Sequence, residues 1–146
     1  MPWRYVDYDD ACLAIRAARL QASEDGTPHL APPTPLEDCS RNTIETALAA
    51  PAAGFGGFEQ YRDLPSKVAV LLYTLAKSQA CIDGNKRVAL TLVLVFVDQN
   101  YAQLRATDKE LAACIEAAAI SPREDRDAML NELTAWLTHA IVSEVL

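Results

Sequence analysis

The strongest constraint on this chain is a pair of long apolar segments, Leu64–Lys77 and Asn85–Gln99, separated only by residues 78–84. In the first, Val68, Ala69, Leu71, Leu72 and Leu75 form a wide apolar face, and Pro65 suits a first helical turn. The second contains Val93-Leu94-Val95-Phe96-Val97, which alone reads as a buried strand. The pattern runs on for about fifteen residues without a break, and that length predicts a helix, with Asn100 as its stop.

The flanking segments are also helical. A helix is predicted over residues 9–22, where Leu13, Ile15, Ala17, Ala18 and Leu20 recur at helical spacing behind Asp9 or Asp10 as cap. Residues 23–39 hold Gly26, Pro28, Pro32, Pro33 and Pro35 and read as an irregular loop. Ser40 is placed to cap a short helix to about residue 50, carrying Ile44, Ala47 and Leu48, and Pro51 ends it. The stretch Gly54-Phe55-Gly56-Gly57-Phe58 is too rich in glycine for a helix and suits a flap or a short hairpin. Thr107 with Glu110 is a capping box opening a helix to about residue 119. Ser121-Pro122-Arg123-Glu124 reads as a second box, opening a last helix with Met129, Leu133, Trp136, Leu137 and Ile141. No other strand is expected. The class is all-α, in one domain over residues 1–146.

A net charge of −7 argues against coating nucleic acid or an anionic membrane, so any anion site must be local. Cys12, Cys39, Cys81 and Cys114 are irregularly spaced, without a C-x-x-C pair, and are read as reduced thiols of a cytoplasmic protein. His29 and His139 have no ligand spacing with them, and no apolar run is long enough to span a bilayer.

One segment carries chemistry: Ile82-Asp83-Gly84-Asn85-Lys86-Arg87, at the start of the second buried helix. Glycine permits a tight turn, and the first helical amides, lacking intrahelical partners, favour an anion. Lys86 and Arg87 add full charges, and a guanidinium can grip phosphate with two hydrogen bonds. Asp83 beside a polyphosphate suits magnesium. The plainer alternative is turn chemistry followed by two solvated cations.

Asp83-Gly84-Asn85-Lys86-Arg87 resembles the core motif of the Fic/Doc family, His-x-Phe-x-Asp/Glu-Gly/Ala-Asn-Lys/Gly-Arg, over five successive positions. Tyr61 to Leu64, Leu71 to Ala76, Val88 to Leu90, Leu94 to Phe96, Leu48 to Pro51 and Phe55 to Gly57 resemble the flanking family segments, so the likeness covers roughly residues 40–120. It implies an all-helical fold binding ATP with Mg2+ on this helix start, and transfer of AMP, or of phosphate in Doc-like members, to a protein hydroxyl. Asp83 would hold magnesium. Gly84, Asn85 and Lys86 would cradle phosphates through the backbone, with Asn85 and Arg87 contacting them by side chain. Phe55, Gly56, Gly57 and Phe58 would form the flap for the protein target. Lys86, where AMP-transferring members commonly have glycine, resembles the Doc-like branch of toxins, which implies an antitoxin-like inhibitor as partner.

The chain departs from that pattern where the base should stand. The position of the catalytic histidine is Gln79, which cannot accept a proton near neutral pH, and that of the motif phenylalanine is Cys81. Leu90 stands where AMP-transferring members have a second arginine, and no self-inhibitory Ser/Thr-x-x-x-Glu-Gly/Asn motif is present. Cys81 reads as a small residue in the space of the aromatic, with a nucleophilic thiol as the lesser alternative. Two functional readings follow: a toxin-type transferase weakened at Gln79, or a catalytically silent nucleotide-binding or protein-interaction module.

Overall fold

In the computed structural model the described residues are 2–25, 32–82 and 84–144. Among them are six α-helices: α1 Tyr8–Asp25, α2 Arg41–Ala49, α3 Leu64–Lys77, α4 Asn85–Gln99, α5 Asp108–Ile120 and α6 Arg126–Ala140. Two antiparallel two-stranded ribbons complete the fold: β1 Gly54–Phe55 with β2 Phe58–Glu59, and β3 Ala102–Leu104 with β4 Ile141–Ser143.

The all-α class expected from the sequence is what folds. Helix α3 is its axis. Lys67 through Tyr73 are buried without interruption, and α3 packs against α2, α4, α5 and α6. A helix apolar on every side belongs inside a bundle. Asp63 caps it by accepting from the Ser66 amide at 2.9 Å, with Pro65 in the first turn. Helix α4 buries Val88, Ala89, Leu92, Val93, Phe96 and Val97 along one stripe, so the apolar run at 93–97 is helical, as its length required. Among the described residues no helix is long and apolar enough to cross a membrane.

Several expectations need correction. Helix α1 continues to Asp25, past residue 22, and a 3-10 turn, Leu36–Asp38, lies within the loop expected over 23–39. The box at Ser121-Pro122-Arg123-Glu124 is not a helix cap. The Ser121 hydroxyl donates back to Ala118 O at 2.7 Å, Pro122 is extended, and a 3-10 turn, Arg123–Asp125, precedes α6. Ile141 lies in β4 rather than in the last helix. The β3–β4 ribbon was missed because three-residue strands carry too little alternation to register. Cys39 and Cys81, read as separate thiols, form a disulfide, while Cys12 and Cys114 are free. Sequence spacing hid this pair; the Ser40 amide donating to Ala80 O at 2.9 Å brings the two neighbourhoods together.

The Thr107–Glu110 box forms in both directions, Glu110 N–H to Thr107 Oγ1 and Thr107 N–H to Glu110 Oε1, each at 3.1 Å. The Thr107 amide, then its hydroxyl, hold the Glu110 carboxyl below its ordinary pKa. A depressed folded-state pKa stabilises above the unfolded value, and the gain is lost as pH falls through the folded one. Glu110→Gln, which mimics the protonated acid, is therefore expected to lower the urea midpoint near neutrality. It should match the parent once the carboxyl is protonated, as paired titrations at neutral pH and well below the ordinary carboxylate range would show.

Candidate functional site

Gly84 begins α4 at φ +78°, a left-handed conformation that favours glycine, and a Cβ there would collide with Thr34 Oγ1. Gly84 brings no side chain of its own to cap this helix start; the first intrahelical bond is Val88 N–H to Gly84 O at 3.1 Å. The amides of Asn85, Lys86 and Arg87 come before that bond and form the positive end of a fifteen-residue helix.

The Asn85 side chain serves the fold. Its Oδ1 accepts from the Cys81 amide at 2.9 Å and its Nδ2 donates to Cys81 O at 2.7 Å, clamping the backbone that leads into the helix. The family resemblance implied that this amide contacts phosphate; in the structure it bonds to the connector. The Lys86 ammonium pairs with Glu116 of α5 across an exposed surface, where such a pair contributes little. Arg87 is half-buried, and its guanidinium has no hydrogen-bond or ion-pair partner among the described residues. An unspent, partly desolvated guanidinium beside helix-start amides is the feature here best suited to phosphate.

A cleft of about 620 Å³ opens over these groups. Gln79, Gly84, Asn85, Lys86 and Arg87 form one wall, and Asp108, Lys109 and Ala112 of α5 the other. That volume is in the range of small-molecule sites. A neighbouring cleft between α1 and α4 shares Arg87, Leu90 and Asp108 and is floored by Ala14, Ala18 and Leu94. Arg87 thus stands between the two. Asp108 was not singled out from the sequence, since the first residue of a helix behind a capping threonine reads as an ordinary N-terminal acid.

Gln79 lies at the cleft edge, exposed and at φ +49°, just past Ser78, which ends α3. Asp83 and His29 lie outside the described residues, and His139 is in the last turn of α6, away from the cleft. Among the described residues no group of three His, Cys, Asp or Glu side chains could hold a metal ion.

The glycine-rich stretch forms the β1–β2 hairpin. Gly56 and Gly57 have φ +59° and +84°, the two positive values of a tight hairpin turn, and a Cβ on Gly54 would strike Phe58 O. Phe55 and Phe58 pair across the strands and are 92% and 71% exposed, so they are available to a partner; neither lines the cleft. The base of the hairpin is held by Lys67, which no sequence pattern singled out. It is fully buried and donates to Tyr5 Oη at 3.0 Å, Pro51 O at 3.1 Å and Glu59 Oε1 at 3.3 Å.

Comparison with known proteins agrees with this arrangement. The Fic/DOC family profile matches residues 6–97, from just before α1 to the last turn of α4. A protein described as Toxin Doc, from Mycolicibacterium smegmatis, is 40% identical over 98 residues, covering 66% of this chain and 75% of its own length. No solved structure matches. With the family match spanning the motif, the hairpin and both buried helices, this chain belongs to the Fic/DOC family.

Proposed function

We propose that the protein is a toxin-type transferase that binds ATP with magnesium at the start of α4 and transfers AMP or phosphate to a hydroxyl of a protein target, with activity weakened at Gln79. The single observation that carries this reading is the start of α4, where Gly84 brings no capping side chain, with Arg87, unpaired among the described residues, beside it and a cleft of about 620 Å³ opening over both. Similarity to a protein described as Toxin Doc supports the toxin assignment and an antitoxin-like inhibitor as partner.

The residues fit the group. The amides of Asn85, Lys86 and Arg87 would receive phosphate oxygens, the Arg87 guanidinium would neutralise their charge, and Asp83 would hold magnesium, which needs few protein ligands when phosphates supply the others. Bound magnesium would offset charge on the phosphates. The chain's own contribution is positioning and charge stabilisation, on which phosphoryl transfer chiefly depends. Gln79 can orient a hydroxyl but cannot take its proton. The exposed Phe55–Phe58 hairpin would receive the target.

Calorimetric titration with magnesium-ATP tests the site. Arg87→Ala is expected to weaken binding by about tenfold or more, the usual loss on removing a charge-assisted hydrogen bond. Binding by neither protein would overturn the nucleotide reading and leave the protein-interaction module.

A further inference from the structure

We infer that the Cys39–Cys81 disulfide is a thiol–disulfide exchange site, worked by low-molecular-weight thiols and disulfides, whose state sets the geometry of the helix start at Gly84. The effect on nucleotide rests on the function proposed above; the exchange chemistry does not.

The two cysteines are 42 residues apart in sequence with Cα atoms 4.4 Å apart, within the span of a disulfide. Cys81 is where the connector meets the site, since both its N–H and its C=O are bonded to the Asn85 side chain. Cys39 belongs to a strap that follows the motif. Thr34 lies against Gly84, Pro33 shares a cleft with Arg87, and the Ser40 amide bonds to Ala80 O at 2.9 Å. The disulfide is the covalent member of this set, so opening it loosens the strap and the connector together. Cys12, which is buried, and Cys114 are free thiols outside this bridge.

Accessibility gives the direction of attack. Cys39 is half-buried and Cys81 only 4% exposed. A small thiolate attacks the Cys39 sulfur, the S–S bond breaks, and its electron pair leaves on the Cys81 sulfur, which takes a proton. A second small thiol releases Cys39 as a thiol, so two reductant thiols become one disulfide and the protein gains two electrons and two protons. A small disulfide such as oxidised glutathione drives the reverse.

The test uses the whole chain equilibrated with reduced or oxidised glutathione, read by intact mass, thiol labelling, amide hydrogen exchange and magnesium-ATP titration. Oxidation should remove two hydrogens of mass and two reactive thiols, and Cys39→Ser should abolish both changes. In the reduced protein, the hydrogen-bonded amides of Ser40, Cys81 and Val88 should exchange about tenfold faster and ATP affinity fall about tenfold, an ordinary coupling between linked sites. Four reactive thiols in oxidised glutathione would overturn the inference. So would a disulfide that forms while exchange at the helix start stays unchanged. Altered exchange without ATP binding in either state would uphold it while refuting the nucleotide reading. Because the unmutated protein supplies both states, a variant that fails to fold does not decide the outcome.

Discussion

Lys67→Ala is expected to destabilise the protein by about 3–5 kcal/mol, the range seen when a large buried side chain with hydrogen-bonded partners is removed. The Lys67 side chain is fully buried in the first turn of the apolar helix α3. Its three donors reach Tyr5 Oη, Pro51 O and Glu59 Oε1, and the ammonium lies 5.4 Å from the ring centres of both Trp3 and Tyr5. One side chain thus gathers the chain's start, the turn after α2 and the base of the hairpin. Truncation leaves a cavity and an unpaired Pro51 carbonyl. Lys67→Met keeps most of the volume, so its cost should fall to about 1–3 kcal/mol, mainly for unpaired polar groups. Urea unfolding of both variants would measure this. An alanine cost below about 1 kcal/mol would show that the network contributes little.

Gln79→His carries the largest expected change in activity, a gain of about 100- to 10,000-fold in transfer to a protein target, the usual worth of a positioned general base. Backbone geometry does not oppose it. Gln79 is at φ +49°, where histidine is found more readily than most side chains, and it is exposed, so the ring need not displace core. The readout is labelling of target proteins by ATP bearing a marked α- or γ-phosphate, which separates AMP transfer from phosphate transfer. A folded variant with no gain over the parent would favour the silent module.

What could be read from the sequence followed from local physics. Helix α4 was legible from end to end because its apolar run outlasts any ordinary strand and Gly84 marks its beginning. Thr107 with Glu110 announced α5, and Gly56-Gly57 announced a turn. What escaped depended on contacts distant in sequence. The role of Lys67 is set by partners 62 and 16 residues away, and a lysine in a helical pattern ordinarily reads as a solvated face. The Asn85 clamp on Cys81 could not be separated from a ligand contact, since both use the same amide. The cleft gave up only one wall to the motif, because Asp108 and Lys109 arrive from another helix.

The short β3–β4 ribbon bears on how the molecule can be handled. The Glu144 amide donates to Tyr101 O at 2.8 Å, while the Arg4 amide donates to Asn100 Oδ1 at 2.9 Å and the Arg4 guanidinium lies 5.3 Å from the Tyr101 ring centre. Residues near the beginning and near the end of the described chain are therefore moored to the same two-residue bollard, Asn100-Tyr101. A fluorophore placed at position 4 and a quencher at position 144 would share one corner of the molecule, and their separation would report the parting of that corner as a single event.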